Sequence, residues 1–143
     1  MIFGIGTDII EVARVAREIG RSEGFKERYF SPREIAYCDP KRSRAQNYAA
    51  RFAAKEAFFK ALGTGCRGGM SFQEVEVVND RLGQPEIVVS GKAREWCRLR
   101  QIDRIHVSLT HIKEYSSAVV VMETRASSRR RTRSNRRRAA GGP

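Results

Sequence analysis

The chain has 143 residues, 41% of them hydrophobic, and a formal net charge of +12. That length supports one domain with a real core, and no stretch approaches the ~18 apolar residues of a membrane span or the pattern of a secretion leader. The charge is lopsided: eight of the 28 basic residues follow Thr124 with no acid among them, leaving 20 basic against 16 acidic residues in the domain that precedes them. Residues 1–124 therefore read as the folded domain and 125–143 as a basic, disordered tail. Cys38, Cys66 and Cys97 form no Cys-x-x-Cys pair. No disulfide or zinc framework is expected, which fits a reducing, cytoplasmic setting.

Residues 1–10 (MIFGIGTDII) read as a buried strand, with Gly4 and Gly6 allowing close backbone approach. Asp8 near its end has two readings, a cap for the next helix or an oxygen ligand for a metal. Residues 11–19 pattern as a short amphipathic helix with Val12, Val15 and Ile19 inward. Arg14, Arg17 and Arg21 form a separate basic stripe, either a solvated face or a docking surface. Phe25 to Phe30 is expected to be a connector with aromatic anchors. Ser31, Pro32 and Glu34 are an N-cap, N1 and N3 signature, and Asp39-Pro40 ends the short helix they start.

The next helix is expected from Ser43 to Leu62, where Gly63 and Gly65 stop it. Tyr48, Phe52, Phe59 and Leu62 recur at helical spacing and should share the core face. Glu56 falls on that same face, and a carboxylate there is costly unless it is paired or binds a cation. Lys60 follows one turn later. The pair is either an i,i+4 ion pair or a metal carboxylate with a cation beside it, aimed at a phosphate. Lys41, Arg42 and Arg44, one to two turns before Arg51, are either polar surface or a phosphate-binding patch. The GTGCRGG segment lacks the Gly-Lys-Ser/Thr of a Walker loop.

Phe72–Val78 and Gln84–Ser90 are predicted to form a β-hairpin. Lys92–Arg100 should be a helix with Ala93, Trp96 and Leu99 inward. Arg104–Thr110 and Tyr115–Glu123 should be antiparallel strands joined by the His111–Glu114 turn. His111, at a strand end, is either structural or catalytic. With no repeat and no βαβ alternation, the class is α+β, an antiparallel sheet packed against one long helix.

Three segments, MIFGIGTDI, RFAAKEAFFKALGTG and HVSLTHIKEY, strongly resemble holo-acyl-carrier-protein synthase, a family of 4′-phosphopantetheinyl transferases. The likeness runs from Met1 to about Glu123. It implies that the phosphopantetheine arm of coenzyme A is moved to a serine of apo-acyl carrier protein with Mg²⁺, releasing adenosine 3′,5′-bisphosphate. It further implies Asp8 and Glu56 as metal carboxylates and Lys60 as the lysine near the pyrophosphate. Arg42, Arg44, Arg51, Gly63 and His111 fall around the coenzyme A site. Arg14 matches a carrier contact, with Arg17 and Arg21 on the same stripe, and a homotrimer with active sites between subunits is implied. Glu56, acting through a water, is the first choice of base and His111 the second. Cys66-Arg67 departs from the family, which usually has a small or apolar residue and then glycine there. The competing expectation is a basic nucleic-acid-binding protein acting through the arginine tail. Against it, the body has neither a stacked-aromatic RNA motif nor a zinc finger.

Overall fold

The computed structural model describes residues 1–125, so the expected tail lies outside the described residues apart from Arg125, whose Nε pairs with Asp103 Oδ1 at 3.0 Å. Two antiparallel sheets surround one helix. Strands β1 (Ile2–Glu11), β4 (Ile102–His111) and β5 (Tyr115–Thr124) form a sheet ordered β1-β5-β4, and β2 (Val75–Asn79) pairs with β3 (Pro85–Val89) in a hairpin. The helices are α1 (Val12–Arg21), α2 (Phe25–Tyr29), α3 (Pro32–Cys38), α4 (Arg44–Leu62) and α5 (Gly91–Leu99).

Helix α4 is the centre of the molecule. Alanine lines most of its circumference, and Tyr48, Ala49, Ala53, Ala54, Ala57, Phe58, Phe59 and Leu62 are all buried. The expected single stripe is thus too narrow: the helix is enclosed on several sides, and Phe52 from that stripe is only partly buried. Small side chains let β1 lie directly on it. A Cβ at Gly4 would overlap the Ala61 carbonyl, and one at Gly6 the Ala57 carbonyl, so the two glycines set the strand-to-helix distance. Gly63 ends the helix in the left-handed conformation (φ 81°), its N–H donating to the Phe59 and Lys60 carbonyls.

Helix α3 starts on the expected capping box, with Ser31 Oγ accepting from Glu34 N–H and the Glu34 carboxylate accepting from Ser31 N–H. That carboxylate also reaches inward. Glu34 Oε1 receives the Lys55 ammonium at 2.6 Å, and Oε2 accepts from Val77 N–H at 3.1 Å. Lys55 Nζ donates further to the carbonyls of Phe72 and Val75, each at 2.8 Å. Both side chains are fully buried. One ion pair thus ties α3, α4 and β2, and all three ammonium donors are satisfied.

Several expectations are corrected. The segment from Phe25 is a one-turn helix entered from Gly24 at φ 81°, not a connector. Residues 72–74 form a 3-10 turn before β2 rather than strand. Leu99 is 80% exposed, and Cys97 takes the inward position beside Ala93, because the burial phase of α5 follows Ala93 and Cys97 at i and i+4. Strand β1 is not buried on both faces: Ile5 and Ile9 are 59% and 66% exposed on the side away from α4.

Candidate active site

Asp8 sits within β1 opposite Ala118, too far from α1 to cap it. The residue at that cap position is Glu11, whose side chain makes no cap bond. The β1 pleat turns even-numbered residues toward α4, so the Asp8 carboxylate faces the helix. There it meets Lys60: Nζ lies 3.0 Å from Asp8 Oδ1 and 2.9 Å from the Thr7 carbonyl. The simple Glu56–Lys60 helical pair is thus replaced by a pair between residues 52 positions apart.

Glu56, one turn before Lys60 and partly buried, makes no hydrogen bond or ion pair among the described residues. Burial, and after it the nearby Asp8 charge, hold its pKa above the ordinary carboxylate value, while Lys60 and Arg14 pull the other way. Two carboxylates sharing a site raise the affinity for a cation between them. This donor set fits Mg²⁺, which takes one or two carboxylates and fills its remaining positions with waters and phosphate oxygens. Among the described residues no group of three or more acidic, histidine or cysteine side chains gathers as a fuller metal cage.

Arg14 is the member of the basic stripe that reaches this electrostatic neighbourhood, while Arg17 and Arg21 are exposed farther along α1. Beside Arg14 opens a cavity of about 360 Å³, floored by Val15, Phe25 and Phe52 and rimmed by Arg28. Sequence reasoning missed this cavity, whose lining comes from four elements. The available signal was the aromatic spacing of Phe25 and Tyr29, which only the unexpected α2 turns into a wall.

The other predicted site residues lie elsewhere. Arg51 is five positions before Glu56, about 140° around the helix, and its side chain is buried (3% exposed) against Asn79 and Tyr37. Lys41, Arg42 and Arg44 are exposed on that second side. His111 pairs in register with Ser116 on the outer strand of the sheet, and its turn touches Gln46 near the start of α4. Gln46 precedes Glu56 by ten residues, about 15 Å along the axis. Within one chain, His111 is therefore not beside the carboxylates. Gly63 lies just past Lys60, and Cys66 and Arg67 are exposed in the loop that follows.

The family model for the 4′-phosphopantetheinyl transferase superfamily matches residues 4–120. The chain belongs to that superfamily. The holo-[acyl-carrier-protein] synthase of Geotalea daltonii is 47% identical over 124 residues, covering 86% of this chain and 99% of its own. In three dimensions the transferase is similar to the holo-[acyl-carrier-protein] synthase of Neisseria meningitidis (TM-score 0.80, 36% identity, 87% of this chain and 100% of that one). The Bacillus anthracis counterpart, solved in complex with coenzyme A (3′,5′-ADP), gives a TM-score of 0.74 at 35% identity over 87% of this chain and 99% of that one. The α+β class and the sheet-on-helix architecture expected from the sequence are those of these transferases. No helix among the described residues is long and apolar enough to cross a membrane.

Proposed function

We propose that this transferase moves the 4′-phosphopantetheine group of coenzyme A onto a serine of an apo-acyl carrier protein, releasing adenosine 3′,5′-bisphosphate. The observation that carries this reading is the pair of neighbouring carboxylates, Asp8 and Glu56, whose charges act on one another, with Lys60 joined to Asp8. Asp8 and Glu56 would hold Mg²⁺, which when bound neutralises the pyrophosphate and helps keep the transferred group in line. Lys60 has three donors and spends two on Asp8 and Thr7. The third is free for an oxygen of the leaving phosphate. Glu56, acting through a water, accepts the serine proton. The serine oxygen forms its bond to the phosphorus that bears pantetheine. The bridging P–O bond breaks, and its electron pair leaves on the 5′-phosphate of adenosine 3′,5′-bisphosphate, opposite the charge of Lys60.

The adenosine end of coenzyme A belongs to the patch of Lys41, Arg42, Arg44 and Arg51. That patch and the carboxylates lie on different sides of α4, and His111 is remote from both carboxylates within one chain. A homotrimer that shares its sites between subunits accounts for this split. The outward apolar residues Ile5, Ile9 and Val119 give the sheet a face to bury in such an assembly. Arg14, Arg17 and Arg21 form the docking surface for an acidic carrier, while the cavity beside Arg14 has Glu18 and Glu23 as well as Arg28 in its wall.

Mass spectrometry of apo-carrier incubated with the enzyme, coenzyme A and Mg²⁺ tests the reaction: a gain of one phosphopantetheine is expected, and an unmodified carrier overturns the reading. Co-expression of Asp8→Asn with His111→Ala tests the shared site. Mixed trimers regain activity that neither parent has if the two residues meet across subunits, and they regain none if each chain is self-sufficient.

A further inference from the structure

Tyr37, near the end of α3 and 37% exposed, carries two cations on its ring. Arg51 Cζ lies 4.4 Å from the ring centroid and Lys41 Nζ 4.6 Å. Arg51 is a buried guanidinium with no ion pair to a carboxylate among the described residues. Its Nη2 donates to Asn79 Oδ1 at 2.7 Å, and its Nε has no hydrogen-bond partner. Asn79 is itself held in orientation by donating from Nδ2 to the Gly83 carbonyl at 2.9 Å. Asp39, two residues after Tyr37, is engaged by Lys26 and by the Tyr48 hydroxyl.

A purely structural buried arginine is normally matched to an acid, because an uncompensated buried charge is costly. Among the described residues the guanidinium forms no ion pair; it meets one amide oxygen and an aromatic face, and that ring also holds a second positive charge. Two cations on one ring repel each other, and an anion beside them relieves the repulsion. The two cations differ in setting: Arg51 is buried and held by Asn79, whereas Lys41 is an exposed side chain drawn onto the same ring.

We propose that Tyr37 is a positioning residue for the phosphate monoester of the substrate, the 3′-phosphate of coenzyme A. The ring restrains Lys41, which otherwise samples many rotamers, over the patch it shares with Arg44. Arg51 adds its charge from a buried position, where low dielectric strengthens it. This inference rests on assigning the adenosine end of coenzyme A to that patch. The Tyr37 contacts use the ring rather than the hydroxyl, so the inference separates Tyr37→Phe from Tyr37→Leu.

Steady-state kinetics with saturating apo-carrier test it, comparing coenzyme A with 3′-dephospho-coenzyme A. Tyr37→Leu is expected to raise KM for coenzyme A about 2- to 5-fold, the worth of an exposed cation–π contact. KM for the dephospho substrate and kcat should stay put, and Tyr37→Phe should restore most of the lost preference. Lys41→Gln should lower the preference in the presence of Tyr37 and hardly at all in the Tyr37→Leu background. If Lys41→Gln and Arg44→Ala reduce the preference for coenzyme A but Tyr37→Leu does not, Tyr37 is packing only and the inference falls. If none of the three changes it, the patch does not bind the phosphate, and the assignment beneath the inference falls as well. Should Tyr37→Leu not fold, Tyr37→Met takes its place: a loss of preference that Tyr37→Phe does not share supports a role for the ring, and an unchanged preference in Tyr37→Met overturns it.

Discussion

Helix α4 carries two lysine–carboxylate pairs five residues apart, and they differ in how completely they are satisfied. Lys55 is fully buried, and each of its three donors has a partner: Glu34 and the carbonyls of Phe72 and Val75. Burial pushes its pKa down, and Glu34 holds it up. Lys60 is 55% exposed, uses two donors, and stands beside a carboxylate with no partner of its own among the described residues. The same pair of residue types makes a closed staple in the first case and an open, candidate reaction site in the second. A closed network has no capacity left for a substrate. An open one keeps a donor, an acceptor and an unsatisfied negative charge where a ligand can reach them.

Breaking the open site should remove activity and leave the fold. Asp8→Asn and Glu56→Gln each keep the side-chain shape while deleting a charge proposed to hold the cation, so transfer should drop to background with the melting temperature within a few degrees of the parent. Near-parental turnover by either variant at low Mg²⁺ would show that the metal is not held there. Breaking the closed site should do the reverse. Glu34→Ala leaves the Lys55 ammonium buried without its counter-charge, which costs about 3–5 kcal/mol. Urea denaturation reads this loss, and an unchanged midpoint would contradict the staple. Lys60→Ala should cost about 10²–10³ in kcat, the worth of one donor aimed at developing charge, and a rise in KM alone would reduce Lys60 to a binding contact.

The pH profile sharpens the contrast. In the proposed mechanism Glu56 is ionised when it holds the cation, and without metal its pKa is raised. Metal-free, its Cδ resonance should titrate above the usual carboxylate value of about 4.3. Because the folded-state pKa is the higher one, this carboxyl favours the fold below the unfolded value, and that contribution is lost as pH rises through the folded value. In Asp8→Asn the Glu56 midpoint should fall, since the Asp8 charge is the second cause of the shift after burial. A midpoint that does not move would leave burial as the whole cause.

Much of this molecule is legible in its sequence, and the gaps have physical causes. The Ser31–Glu34 box and the Gly63 stop are local chemistry, so the ends of α3 and α4 follow from a few residues. The α+β class follows from patterning. The division of labour between Lys55 and Glu56 does not. An alanine-rich helix has almost no polar contrast around its circumference, so nothing in the pattern says that Lys55 points inward while Glu56 points to the edge. Asp8 reaches Lys60 from 52 residues away, and Glu34 reaches Lys55 from 21, separations at which helical spacing carries no information. The residues that chemistry alone singles out, Asp8, Glu56 and Lys60, are the ones the fold gathers. For Arg51 and His111 the residue pattern left a structural reading open and family likeness supplied the site role, and the single chain leaves them apart from that cluster.

The smallest expected effect concerns the carrier surface. Arg14, Arg17 and Arg21 are exposed on α1, and only Arg14 also acts on Glu56. Charge reversal at Arg17 should therefore disturb docking alone, whereas Arg14→Glu should disturb docking and push the Glu56 pKa higher still. Opposite fields mainly speed encounter and fix orientation, and salt screens them. At low ionic strength both reversals should raise KM for the carrier, by about tenfold, and the gap to the parent should close as salt is added. Arg21→Glu, at the far end of the helix, should do less. KM for coenzyme A should stay level in Arg17→Glu, while Arg14→Glu should also shift the acid limb of kcat toward higher pH. If Arg17→Glu leaves the carrier KM unchanged at low salt while Arg14→Glu moves only the acid limb, the stripe is a solvated face and Arg14 serves the carboxylates rather than the carrier.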